Sequence, residues 1–316
     1  GVGLKPEKGS FIFDSFHLDK KIKQYYVNIR NFNKINNIIK KEKPDIIFHL
    51  AAQSIVSKSF YNPLETFETN VIGSVNILES VRVNNIPNLV YITSDKCYLN
   101  LNKLGSFKEG DVLGGKDNYS SSKASAELVF FSYHESYFKK KYISIGSTRA
   151  GNVIGGGDFK DNRIIPDIIK SFKKRKPITL RNPKATRPWQ HVLEPLSGYL
   201  TLGQKLLNKE LKGNLSPSWN FGPNLKNCKN VITIVKLFIK EWGVKNQKVL
   251  FDKNKKYYES KFLSLNIDKA RRELNWKPRL TVHETVKFTV DWYKLYFFNK
   301  EIEKISNNQI DYYINK

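Results

Sequence analysis

Methionine is absent from this chain of 316 residues, and cysteine occurs only twice, as Cys97 and Cys228. The missing methionine has no structural reading. Two widely separated cysteines argue against a disulfide framework and for a reducing compartment, so a cytoplasmic location is expected. No apolar run nears the roughly 18 residues of a membrane span, and no leader pattern is visible, so no membrane insertion is expected. Five scattered histidines show no ligand spacing, and no metal is expected. Acidic residues are few. Asp and Glu number 29 against 54 Lys and Arg, for a formal charge of +25.

That charge has two readings: an anionic partner such as nucleic acid, or lysine spread over a solvated surface. The basic residues are scattered through "KKIK", "IIKKEK", "FKKRK" and "FDKNKK", with no aromatic-basic motif of an RNA-binding sheet. No nucleic-acid partner is expected; a steep salt dependence of binding would be its mark. Apolar residues are 40% and aromatic residues 13%, an ordinary globular composition with enough chain for one large domain or two smaller ones.

The first half alternates short apolar runs with longer amphipathic ones. "PDIIFHLAA" and "NLVYITS" read as buried strands, "PLETFETNVIGSVNILESVRVNN" and "YSSSKASAELVFFSYHESYFKK" as long helices, and "YISIGSTRAGNVI" as a further strand. The expected fold class is α/β, a doubly wound Rossmann-type parallel sheet, which binds ligands beyond the carboxyl ends of its strands. Such a fold normally opens with a strand, a glycine loop and a helix. "GVG" at Gly1–Gly3 is not that loop, since no strand precedes it and no helix follows. Val2–Leu4 reads as the tail of a second strand and "YYVNI" as a third, so the first β-loop-α unit is expected to be missing.

The rhythm changes after about Asn152. Residues 1–151 are expected to form the nucleotide-binding domain, and 152–299 a smaller substrate-binding domain, with about 186–222 returning to the sheet. Residues 300–316 read as a polar tail. "GGGD" at Gly155–Asp158 lacks the register of a phosphate loop and reads as a turn.

Chemistry concentrates at two places. Tyr119 and Lys123 are spaced i, i+4 at the start of a helix and share one face. A phenol near pKa 10 is a poor base at neutral pH, and a neighbouring ammonium would lower that value. "TSDKCY" at 93–98 sets the hydroxyl of Ser94 beside Asp95 and Lys96 where a buried strand ends. A Tyr-x-x-x-Lys pair downstream of a hydroxyl-bearing strand end, in an alternating α/β pattern, is the pattern of a short-chain dehydrogenase/reductase.

The stretches "FHLAAQSIVSKSFYNPLETFETNVIGSVNILE", "ITSDKCY", "LGGKDNYSSSKASAEL", "RAGNVIGGGD", "RNPKATRPWQHVLEPLSGYL" and "WNFGPN" carry a resemblance that covers about residues 5–297. The chain resembles the CDP-glucose 4,6-dehydratases, extended members of that superfamily. The resemblance implies NAD as cofactor and a small nucleotide-sugar as substrate. It also implies a homodimer or homotetramer joined through helices over 70–84 and 119–139. Tyr119, helped by Ser94 and Lys123, would take the sugar 4-hydroxyl proton while a hydride leaves C4. Lys96 would be the base at C5 and Asp95 the acid for the departing 6-hydroxyl; the hydride would then return at C6. Side by side, Asp95 and Lys96 each favour the other's charged form, so their division of labour stays open.

The resemblance further places Asn28, Ile29, Ala51, Ala52, Gln53, Asn70, Tyr119 and Lys123 beside the cofactor, and Asn152, Arg187 and Asn220 beside the substrate. Asn28 stands where related sequences often carry Asp, and Tyr258 where His is expected. The alternatives are a dehydratase or epimerase of another sugar nucleotide, UDP- or dTDP-linked, and an inactive nucleotide-sugar-binding remnant that lacks the glycine loop.

Overall fold

The computed structural model describes residues 1–6, 11–101, 105–141, 143–211, 217–252, 260–298 and 301–316. Tyr258 lies outside them. The strands in chain order are β1 (Val2–Gly3), β2 (Tyr25–Tyr26), β3 (Ile47–His49), β4 (Asn88–Ile92), β5 (Ser144–Ala150), β6 (Val153–Ile154), β7 (Ile178–Leu180), β8 (Thr186–Arg187), β9 (Gln190–His191), β10 (Ser218–Phe221), β11 (Lys229–Asn230) and β12 (Val249–Phe251).

The central sheet is parallel, in the order β10-β5-β4-β3. Its register pairs Ile47 with Leu89, Leu89 with Ile145, and Ser147 with Ser218. β1 and β2 form a separate parallel pair. Helices cross over between the strands, as parallel connections require. The helix between β3 and β4 runs over 63–83 in three stretches: Pro63–Phe67, a wider π-turn at Glu68–Ile72, and Gly73–Val83. Its start is set by Asn62, whose side chain accepts from the Glu65 amide, with Pro63 in the first turn. The helix between β4 and β5, Asn118–Tyr133, is capped by Asp117, which accepts from the Ser120 amide at 2.9 Å. It continues through a second π-turn at His134–Phe138.

Apolar packing holds the sheet from both sides. On one side Ile29, Ile35, Leu78, Val81, Leu89 and Phe130 form one buried cluster. Gly73 lets Ile29 pack closely there: a Cβ would lie 2.6 Å from Ile29 Cδ1 and would force that side chain to shift. On the other side Tyr98, Leu202, Trp219, Phe221, Leu265 and Trp276 form a second. Each such side chain contributes roughly 1.5–3 kcal/mol on burial. A third cluster, with Ile168, Phe172, Val235, Phe238, Val290 and Trp292, builds the outer unit around helices Ile164–Lys174, Val231–Trp242 and Val282–Phe297. β10 comes back from that half of the chain to pair with β5.

The expected polar tail is corrected by the structure. Residues Ile302–Asn315 form a helix that buries Ile302, Gln309 and Tyr313. Its anchor is Glu194, itself buried in helix Leu193–Leu207. The Glu194 carboxylate accepts from the amides of Arg279 and Leu280 and from the Tyr313 hydroxyl at 2.7 Å. Arg279 Nη1 then donates to the carbonyls of Tyr313 and Ile314. A polar sequence folds here because a buried acceptor waits for it. Glu194→Ala removes the acceptor these donors share and is expected to cost about 2–4 kcal/mol, with Glu194→Gln costing less. Urea unfolding monitored by circular dichroism checks both.

Candidate active site

The carboxyl ends of β3, β4 and β5 meet at one edge. Past β4, the Thr93 amide donates to the Thr148 carbonyl of β5 at 2.9 Å, extending the ladder by one residue. The chain then turns through a short 3₁₀ segment, Asp95–Cys97. Ser94 Oγ caps that turn, accepting from the Lys96 amide at 3.3 Å and donating to Asp95 Oδ1 at 3.1 Å. The far side of the turn is fixed by an antiparallel bridge between Tyr98 and Leu113, and the Gly114 amide bonds to the Cys97 carbonyl. This chain of local bonds is why three polar residues can stay ordered at a buried strand end.

Asp95 is only 2% exposed. Its Oδ2 is buried without a hydrogen-bond partner, tucked against Gly151, where a Cβ would lie 2.1 Å from that oxygen. Burial pushes the Asp95 carboxyl up, against the opposing pull of Lys96, the Ser94 hydroxyl and Arg187. A carboxyl so placed is suited to hold a proton and give it up. Lys96 is half-buried.

Tyr119 and Lys123 both lie buried on the Asn118–Tyr133 helix, facing the turn. Burial and the nearby Asp95 charge push the Tyr119 phenol up to about 12, while a hydrogen bond with Ser94 and the charge of Arg163 pull it back. The expected lowering by Lys123 is not what acts on the phenol here. Desolvation dominates, and burial brings Lys123 itself down to about 8. Its ammonium makes no hydrogen bond among the described residues, so a buried donor group faces the edge with capacity for a ligand. That donor set fits the hydroxyls of a nucleotide ribose.

At the end of β3, Ala51 and Ala52 are half-buried and bring the backbone to the same edge. Gln53 and Asn70 serve the loop itself. Asn70 Oδ1 accepts from the Gln53 amide at 2.8 Å, and its Nδ2 donates to the Gln53 carbonyl and to Ser122 Oγ. The Gln53 side chain is used by Ile55 and Thr66. Both amides shape the strand-end loop, each with its NH2 fully engaged and one acceptor position left on its oxygen. Asn28 closes a small turn by accepting from the Arg30 amide, and Ile29 packs under Gly73.

Of the three residues expected at the substrate, Arg187 is buried, within electrostatic reach of Asp95. Asn152 sits just past β5 in a left-handed conformation, φ 28°, and is half-buried. Asn220 requires a correction. It is fully buried inside β10, accepting from Tyr98 Oη at 2.7 Å and donating to the carbonyls of Phe107 and Asn266. Its side chain is fully used within the core.

Three residues at the edge have no marker in the sequence. His49 ends β3, bonds Ser74 Oγ at 3.1 Å, and is held neutral by burial and by Lys123, at about 3. Gly151 leaves room for Asp95. Arg163, ahead of helix Ile164–Lys174, spans from Asp158 Oδ2 to Ser54 Oγ and joins the outer unit to the loop after β3. Only the Gly in "RAGN", next to a strand end, could have drawn notice.

The chain belongs to the GDP-mannose 4,6 dehydratase family, whose family model matches residues 11–289. It is 40% identical over 320 aligned residues to the CDP-glucose 4,6-dehydratase of Salmonella typhimurium, covering 99% of this chain and 88% of that one. Among solved structures it is similar to the dTDP-glucose 4,6-dehydratase of Bacillus anthracis in complex with NAD, with a TM-score of 0.74 and 26% identity, covering 88% of this chain and 82% of that one. The UDP-glucose 4-epimerase of Thermotoga maritima shares the fold, with a TM-score of 0.78 at 17% identity, covering 94% of this chain and 99% of that one. No helix among the described residues is long and apolar enough to cross a membrane.

The buried Asp95 carboxylate carries a stability cost. Because its pKa is raised, the folded form holds the proton more tightly than the unfolded chain, and the cost grows as pH rises above the ordinary value of 3.8. Asp95→Asn is expected to raise the urea midpoint near neutral pH, with the gain vanishing by about pH 3. Unfolding curves at the two pH values check this.

Proposed function

We infer that this chain is a NAD-dependent CDP-glucose 4,6-dehydratase, a hydro-lyase that yields CDP-4-keto-6-deoxyglucose for deoxysugar and surface polysaccharide synthesis. The observation that carries the reading is the buried carboxyl of Asp95, its pKa raised, beside the Tyr119 phenol and the Ser94 hydroxyl. An epimerase needs a base and a hydride acceptor at C4. Only an elimination also needs a proton donor for a departing hydroxyl. The 40% identity with the Salmonella enzyme, over 99% of this chain and 88% of that one, supports CDP-glucose as the substrate.

NAD, when bound, supplies the hydride acceptor for C4 and the donor for C6. Lys123 would hold its ribose through the ammonium, and the Ala51–Ala52 backbone would lie against it. Tyr119 would take the 4-hydroxyl proton as its phenolate, a form that the bonded Ser94 hydroxyl and the positive charges of Lys123 and bound NAD would favour. The 4-ketone so formed acidifies the C5 hydrogen, which Lys96 accepts. Asp95 protonates the 6-hydroxyl, the C6–O bond breaks and water leaves. A hydride added at C6 and a proton returned to C5 complete the product. Asp95, its pKa raised by burial, is better suited to the acid role than to the base role. Arg187 and Asn152 would receive the pyrophosphate, a charge-assisted contact.

The enzyme would act in the cytoplasm, in keeping with two free cysteines. It would pair with a second copy through the helices over 63–83 and 118–133. Their outer faces expose Leu64, Ile72, Leu128 and Phe131.

Mass spectrometry of CDP-glucose incubated with the protein and NAD, with UDP- and dTDP-glucose as competitors, tests the reading. Loss of one water from CDP-glucose alone is expected, and no loss from any of the three overturns it. Tyr119→Phe is expected to slow the reaction by about 10²–10⁴-fold.

A further inference from the structure

Behind the two halves of this site lies a buried ion pair that the chemistry above does not use. Glu127 is 1% exposed and sits one turn beyond Lys123 on the same helix. Arg149 is 3% exposed and lies near the end of β5. Their closest atoms, Arg149 Nη2 and Glu127 Oε2, are 2.7 Å apart. Each partner also holds part of the catalytic strand end. Glu127 accepts from Thr93 Oγ1, immediately before Ser94, and from Ser147 Oγ at 3.0 Å. Arg149 Nη1 donates to Tyr98 Oη at 2.9 Å, immediately after Cys97, and its guanidinium stacks over the Tyr98 ring at 5.0 Å. The pair thus holds the turn over 94–97 at both ends, Glu127 from the helix that carries Tyr119 and Lys123 and Arg149 from β5.

A buried ion pair is an inefficient way to gain stability, since an apolar pair of similar volume often does as well. What it provides here is a fixed geometry with several directional bonds. We propose that Glu127 and Arg149 are positioning residues for catalysis: they set the spacing between the Tyr119–Lys123 face and the turn carrying Ser94, Asp95 and Lys96. Neither touches the substrate. Their loss acts on turnover, and substrate affinity, which depends on other residues, stays as it is. This rests on the dehydratase reading for its kinetic readout.

The test compares the wild-type holoenzyme with Arg149→Lys and with the double variant Glu127→Leu, Arg149→Met. The double variant removes both charges together and is expected to unfold near the wild-type urea midpoint. Its kcat for CDP-glucose is nevertheless expected to fall about 10–100-fold at unchanged KM, the scale of an ångström's misplacement. Arg149→Lys keeps the charge against Glu127 but has no second arm for Tyr98. It is expected to lose kcat in the same way while staying folded, so the test does not depend on the double variant alone. Amide hydrogen exchange at Lys96, Cys97 and Gly114 provides a readout independent of turnover and is expected to quicken in both variants. Wild-type kcat and unchanged exchange in the folded variants would overturn the proposal, as would a loss confined to KM. A wild-type protein that dehydrates nothing would refute the functional reading, and the exchange rates would then decide the positioning role by themselves.

Discussion

The bond from the Thr93 amide to the Thr148 carbonyl is the point to which the site is referred. It exists because β4 and β5 run parallel in a fixed register, with Asn88 opposite Ser144 at one end and Ile92 opposite Thr148 at the other. Shifting a strand by one residue would move every side chain to the opposite face of the sheet, into the wrong one of its two packed clusters. With the register held, the residues just past the ladder have no freedom about where they emerge. Ser94 and Asp95 follow β4, Gly151 and Asn152 follow β5, and Ala51 and Ala52 follow β3. All leave the sheet at one edge, and the helix over 118–133 brings Tyr119 and Lys123 to it.

That arrangement carries a desolvation cost. Asp95, Lys123, Tyr119 and His49 all have their charged forms disfavoured by burial. A chain selected for stability alone would place apolar residues at these positions. The apolar clusters on both faces of the sheet offset the cost. They are made of large side chains such as Trp219, Phe221 and Phe130, packed at less than 2% exposure. The same burial makes the groups useful, because a carboxyl with a raised pKa and a lysine near 8 can exchange protons where ordinary ones do not.

Most of the framework was legible in the sequence, because it is written in local patterns. Apolar runs announced β3, β4 and β5, and the i, i+4 spacing of Tyr119 and Lys123 survived intact into the helix. What could not be read were polar side chains whose partners are distant. Asn220 looks like a loop-edge amide, but Tyr98, Phe107 and Asn266 consume it. Nothing in the sequence shows that Asn70 bonds the Gln53 backbone and Ser122. The final helix looks like a solvated tail, because the acceptor that orders it, Glu194, lies 119 positions before Tyr313 in the chain. Glu127 and Arg149 are ordinary surface residue types, and only the fold shows that they face each other. No local pattern encodes such pairings.

The π-turn at Glu68–Ile72 has a geometric consequence of its own. Thr66, Asn70 and Ser74 are spaced four apart, and each binds a different part of the β3 end: the Gln53 side chain, the Gln53 backbone and His49. On a regular α-helix, positions four apart drift by about 40° at each step. Three in succession would spiral away from the strand they serve. The wider turn takes up part of that excess and straightens the three into one polar seam. A π-turn arises by inserting a single residue into a helix. Deleting one residue from this stretch would leave a more regular helix with its seam rotated off the strand.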